Sequence, residues 1–519
     1  MYKNYKNKVS KYKNKLNKIG GAQQSNEELD KLMIILLNTN TLGTMPLPSI
    51  INLYRTGHPG IQNAIKEYKM HDFYDQTPLQ DDVSLLEFNQ MFPFCRGLNI
   101  SHRTNDTDAD FVYLRGIKKL NMLYCTQIAD AALVNLRGIH TLNMYYCRQI
   151  TDAAFIHLRG IHTLEMDFCN KIIDIPVVHL RGIHTLRIVR YDQITDAAFV
   201  HLRGIHTLEI GYCYRITDAA FVHLCGIHTL GMISCRQITD AVFVHLRGIH
   251  TLDISYCDQI TDAAFVHLRG IHTLIMDYCY KITDIALVHL SGIHTLNMSD
   301  CVQITDASFV HLRGIQSLDM TYCNQITDAA FVHLRGIDAL NMRSCSQITD
   351  IALVHLRGIY ILYMSNCVQI TGAEFVHLRG IHSLNMSNCR QITDNAIVHL
   401  RGIHTLHMGE CIQITDHAFV HLRGIQSLDI SYCDQITDAA FVHLRGIHSL
   451  NMRDCSQITD AAFVHLRGIH TLLMVDCHQK SITNNAFNNL HGIKELNMRN
   501  CNSDRILYAR RIGLPATIE

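Results

Sequence analysis

Several things are scarce or missing in these 519 residues, and each absence narrows the possibilities. Net charge is absent: Lys+Arg and Asp+Glu number 46 each, so no global basic excess exists to drive binding to nucleic acid or to a membrane surface. No apolar run approaches the roughly 20 residues that a membrane helix needs. The Lys-rich start is not followed by an apolar core of about 7–15 residues, so it does not read as a secretory signal. There is no Walker loop, no nucleophile elbow, no glycine-rich dinucleotide turn and no Cys-x-x-Cys, and no constellation of reactive residues stands out once against a different background. The expectation is a non-enzymatic protein without a cofactor or metal. A hydrophobic share of 48% against 18% charged excludes a disordered chain. The expected setting is intracellular, cytoplasm or nucleus. There the 19 cysteines, an odd number, stay thiols.

What the sequence does have is a beat. Arg-Gly-Ile or a close variant recurs with glycines at Gly116, Gly138, Gly160 and onward to Gly468, always 22 apart. An eighteenth copy, Gly492, follows after 24, because two residues enter between Cys477 and Ile482. Cysteines keep the same step from Cys125 to Cys477, with Tyr191 in the one missing slot, and Cys501 follows after 24. Each unit opens Ile-x-x-Leu-x-Ile/Met-x-x-Cys, as at Ile249–Cys257. Alternation at Leu252 and Ile254 suits a short strand buried on one face. Thr261 and Asp262 stand where a helix cap and a first-turn acid belong, the Asp offsetting the helix dipole, and Gly270 ends the turn.

This pattern resembles the leucine-rich-repeat signature, and the Ile-Thr-Asp with Cys resembles its cysteine-containing subfamily, whose repeats are usually longer. The resemblance implies an α/β leucine-rich-repeat solenoid (a horseshoe) over residues 95–502, about 18 repeats with a parallel inner sheet and short outer helices. Residues 503–519 form a C-terminal cap or tail. Seventeen cysteines then fill an inward slot, where a thiol donates weakly to a neighbouring carbonyl. A phenol at Tyr191 makes that unit a weak point. Fifteen histidines in Val-His-Leu and twelve in Ile-His-Thr/Ser form two exposed columns.

Variation between copies concentrates from the strand's Leu to the residue after Cys, which should line the concave face and its rim. A protein target there would meet Tyr145, Glu165, Asp167, Glu209, Asp253 and Asp277 from the strands. Tyr146, Phe168, Tyr212, Tyr256 and Tyr278 add rim aromatics, and Tyr214 and Tyr280 follow beyond the Cys. Aromatics beside carboxylates fit a basic, apolar-anchored partner. Neutral drift at unconstrained positions is the alternative.

Residues 1–26 read as a disordered Lys/Asn-rich tail. Residues 27–80 carry apolar stripes at Leu29, Leu32 and Leu36, at Ile50, Leu53 and Tyr54, and at Ile61–Tyr68. Helices ahead of a leucine-rich repeat resemble the F-box/leucine-rich-repeat proteins of amoebae and giant viruses, Asn52–Thr56 looking like the second F-box helix. Leu29-Asp30 replaces the usual Leu-Pro, and no Trp closes the third helix. The resemblance implies a monomeric substrate receptor of an SCF-type ubiquitin ligase, its adaptor bound through Leu29, Leu32, Leu36, Ile50, Leu53 and Tyr54. The other reading is a helical cap on a scaffold or decoy without a ubiquitin link.

Overall fold

The computed structural model describes residues 45–517 except 69–70, 170, 173–176 and 191–193. The stripe at Leu29, Leu32 and Leu36, the expected tail and Tyr191 lie outside the described residues. Contacts divide the chain into two units, residues 1–238 and 239–519.

The first unit opens with helices α1 (Leu47–Arg55) and α2 (Pro59–Glu67). Pro48 fits the first turn of α1, where its missing N–H costs nothing. The His58 ring accepts the Ile61 N–H and starts α2. A helix the apolar stripes did not announce, α3 (Leu85–Met91), starts at Ser84, whose hydroxyl accepts the Glu87 N–H, and packs against the first repeat's turn. Arg103, only 3% exposed, fastens the preceding loop. It forks onto Asp106 and donates to the carbonyls of Leu79 and Val83. Seven parallel strands follow, from Gly97–Asn99 to Thr229–Ile233, each one 22-residue step further along.

The second unit repeats the same construction in thirteen strands, from Thr251–Asp253 to Glu495–Asn497 and the closing Ala516–Thr517. The pairing puts Leu on Leu: Leu296 faces Leu274 on one side and Leu318 on the other. Inward Leu, Met, Ile, Cys and Phe of every unit are essentially fully buried, so the core is one side-chain layer copied along the axis. This is a leucine-rich-repeat solenoid. The return segments are mostly 3₁₀ turns such as Asp262–His267. A 3₁₀ turn rises about 2.0 Å per residue against about 1.5 Å in an α-helix, so a 22-residue unit crosses the core with fewer residues. Gly270, at φ +83°, takes the third position of the turn that follows, Leu268–Ile271. A side chain there would be strained.

Three ladders bind unit to unit. Most slot cysteines donate their thiol to a carbonyl one unit back, as Cys301 does to Met276 at 3.1 Å and Cys345 to Met320 at 3.1 Å. Burial pushes the Cys323 thiol up to about 12, so it stays protonated and able to donate. The repeated Asp is more than a dipole partner: Asp262 accepts both the backbone N–H and the hydroxyl of Thr283, the cap of the next unit. The two histidine columns differ. His140, His162, His184 and His206 stack ring on ring at 4.5 Å, each bonded through Nδ1 to the following Thr hydroxyl. Most Val-His-Leu histidines instead accept from arginines of the unit before, as His333 does from Arg313 and His465 from Arg445. Among the described residues, no helix is long and apolar enough to cross a membrane.

Candidate functional site

The strand residues that point away from the core form rows across neighbouring strands, because the register is unbroken within each unit. In the first unit one row runs Asn143, Glu165, Arg187, Glu209, and a second runs Tyr145, Asp167, Val189, Gly211. Asn143 donates to Glu165 at 2.8 Å. Arg187 bridges Asp167 at 2.7 Å and also pairs with Glu209. Asp167, expected as a partner-facing carboxylate, is 1% exposed. Its other oxygen accepts the Val189 N–H. Burial pushes the Glu165 and Asp167 carboxyls up, and Arg187 pulls both back. Tyr74, from the loop before the first strand, belongs here too. Burial raises its phenol well above the usual range, and the negative charge of Glu165 adds to the shift. Nothing in the repeat pattern marks Tyr74.

The rim aromatics share a backbone property that composition does not reveal. Tyr124, Tyr146, Phe168, Tyr212, Tyr256, Tyr278 and Tyr322 all lie between φ +56° and +63°, each just before the slot cysteine. The left-handed position follows from the turn at the strand's exit, which the Cys N–H closes by donating three residues back, as Cys125 does to Met122. Stacked one per unit, these residues form a column. His102 lies 4.9 Å from Tyr124, Tyr124 4.7 Å from Tyr146, and Tyr146 5.7 Å from Phe168. Tyr145 braces this column edge-on from the strand. Arg190 then takes the next rung, its guanidinium 5.0 Å from Phe168 and 4.9 Å from Tyr212. Tyr214, beyond the Cys, is 40% exposed.

The second unit carries its own cluster. Asp253 accepts the Ser255 N–H and hydroxyl. Asp277 is pushed up to about 6 by burial and then by Asp253 and Asp319, and its Oδ1 is buried without a hydrogen bond. Tyr256 and Tyr278 stack at 4.4 Å, and Tyr280 meets Tyr278 edge-on at 6.2 Å. The expected partner-facing residues therefore fall into two groups. Tyr145, Tyr146, Glu165, Asp167, Phe168, Glu209, Tyr212 and Tyr214 belong to one unit, and Asp253, Tyr256, Asp277, Tyr278 and Tyr280 to the other. Of the adaptor-facing candidates, Ile50 and Leu53 are buried within the chain at 0% and 2% exposure, and Tyr54 is half-buried.

Comparison with known proteins supports the repeat architecture. A family model, the BspA type Leucine rich repeat region, matches residues 369–497 in six copies. No curated protein matches the chain. Among solved structures, a chain of the yeast Rad7 and Elc1 complex is similar at 14% identity and TM-score 0.33, over 69% of this chain and 81% of that one. The TLR13–ssRNA13 complex is similar at 16% identity and TM-score 0.51, over 79% of this chain. This chain spans 60% of the length of that one.

Proposed function

We propose that this leucine-rich-repeat scaffold is an intracellular protein-binding receptor that holds its partner on the outward face of the strands. The observation that carries the reading is the contrast inside each unit. The inward frame is the same residue after residue, while the outward slots hold ion networks and exposed aromatics, the side chains from which interface anchors are built. The test is affinity capture with the full chain, followed by the double variant Tyr145→Ser with Glu209→Ala, both on the outward face. Loss of the captured protein, with the melting curve retained, supports the reading. Full retention by this variant and by a matched Asp253→Ala, Tyr256→Ser variant sinks it.

The finer proposal is that the partner is the substrate of an SCF-type ubiquitin ligase, with the helical segment docking the adaptor. Helices α1 and α2, which precede α3 and the first strand, support it. Burial of Ile50 and Leu53 favours the alternative, a cap that closes the end of the solenoid core. Reconstitution with the purified ligase adaptor separates the two. A complex that survives gel filtration and is lost on removal of residues 27–68 supports the ligase reading, and co-elution of the adaptor in neither case removes it.

A further inference from the structure

The rim column has one rung per unit, and the rungs differ in chemistry. In the first unit, rungs Phe168 and Tyr212 are two steps apart, and Arg190 fills the rung between them with its guanidinium about equally far from both rings. In the second unit, rungs Tyr278 and Tyr322 are likewise two steps apart, and the rung between them is Asp300. The backbone matches at all three rungs, φ being 57° at Tyr278, 57° at Asp300 and 59° at Tyr322, against 61°, 66° and 56° at Phe168, Arg190 and Tyr212. Two strand spacings, about 9.6 Å, separate such rings. A flat group in contact with both needs about 7 Å. A short Asp side chain cannot fill that gap, and the Asp300 carboxylate engages the Tyr278 hydroxyl. The Tyr322 ring is 41% exposed.

We infer that Tyr278, Asp300 and Tyr322 form a slot for an arginine side chain of the bound protein. Its guanidinium would lie between the two rings as Arg190 lies between Phe168 and Tyr212, and would pair with the Asp300 carboxylate. The filled slot in the first unit is the template: the equivalent positions there, with the same backbone, already hold a guanidinium between two aromatic rungs. A second instance supports the preference, since Arg453 lies 5.3 Å over the Tyr432 rung. Charge selects the guest. The Asp300 rung and the neighbouring outward residues Asp277 and Asp319 are acidic, so a neutral ring gains less there than a planar cation. Arg suits the slot better than Lys, because the guanidinium is flat, stacks on both faces and still donates in its plane.

This inference deepens the receptor reading and rests on it. The probe is a blocked pentapeptide, Gly-Ser-Arg-Ser-Gly, followed by ligand-observed NMR with the full chain. Replacing Arg by citrulline, which keeps the plane and loses the charge, should weaken binding about tenfold or more. Asp300→Arg should abolish binding by filling the slot from within. Arg190→Asp should open a second slot and double the bound peptide at saturation. Equal binding of the citrulline peptide, retained binding by Asp300→Arg, or no second site in Arg190→Asp each overturns the slot. Should Asp300→Arg fail to fold, Tyr322→Ala removes one wall and must also cost about tenfold; unchanged binding there overturns it too. If Asp300→Arg still captures a protein that the outward-face double variants lose, the slot fails and the receptor reading stands. If the double variants lose nothing, the receptor reading itself fails.

Discussion

Asp262 holds Thr283 with both of its carboxylate oxygens: Oδ1 accepts the threonine's backbone N–H at 2.8 Å and Oδ2 its hydroxyl at 2.6 Å. Thr283 in turn accepts the Ile285 N–H and starts the next helical turn, so a side chain of one unit sets the geometry of its neighbour. Asp262→Ala leaves a half-buried N–H and hydroxyl without their charged acceptor, which costs about 1.5–3 kcal/mol. Denaturant unfolding should show that loss, and hydrogen exchange should show it concentrated at Thr283 and Ile285. Unchanged protection at both would mean the clasp is ornamental. Gly372 provides a natural comparison: it stands in the Asp position, and Thr393 caps its turn without a side-chain hydrogen bond. The Thr393 amide should exchange faster than that of Thr415, which Asp394 clasps.

The thiol ladder predicts a reactivity pattern. Of the nineteen cysteines, seventeen are buried, Cys95 is partly buried and Cys225 is exposed. A reagent at neutral pH attacks the thiolate, so burial protects slot cysteines such as Cys323 and Cys367 twice, by access and by their raised pKa. Iodoacetamide should label Cys225 first in the native protein and the whole set after denaturation. Early labelling of Cys301 or Cys323 would show that the ladder opens.

Acid should weaken the fold, and both histidine columns contribute. Burial first, then His162 and His206, hold His184 below the ordinary histidine range; burial first, then Arg401, does the same for His421. A depressed folded pKa means that the unfolded chain binds more protons below about pH 6.5. The stability these histidines contribute is complete above that pH and is lost as pH falls through and below it. The melting temperature should therefore drop between pH 7 and 5, and less at high salt, since exposed charges are screened. A flat profile would refute it.

Asp277 works in the opposite sense. Its folded pKa of about 6 lies above the ordinary carboxylate value, so the folded state binds the extra proton and gains stability as pH falls through 6. Asp277→Asn should raise the melting temperature at pH 7.5, with the gain gone by about pH 3, where the wild-type carboxyl is largely protonated in both states. A variant less stable than wild type at pH 7.5 would show that the charge is compensated.

The repeat made most of the architecture readable before any coordinates. A 22-residue spacing with period-2 alternation leaves few ways to bury Leu252 and Ile254, and an inward Cys in all but one of the repeated slots points to a thiol–carbonyl ladder. Contacts that leap between units were harder to see. The Asp read as a dipole partner for its own turn, because its true partner lies 21 residues on. The left-handed backbone at Tyr256 was invisible, since Tyr carries no preference for it and the turn imposes it. Helix α3 and Tyr74 escaped because neither belongs to the beat, and Asp167 counted as exposed until Arg187 and the Val189 N–H covered it.

Both halves of each inter-unit bond are written into the same 22 residues: the Asp that clasps and the Thr that is clasped, the thiol that donates and the carbonyl that receives. Any unit can therefore follow any other, and the length of the protein is an adjustable quantity. Adding or deleting whole units makes no unfamiliar junction, and even the two extra residues after Cys477 leave Asp460 on Thr483. Fractional changes elsewhere would put donor opposite donor. Such a chain can grow its outward surface by duplication and then vary the outward slots alone, with the interior already guaranteed to fit.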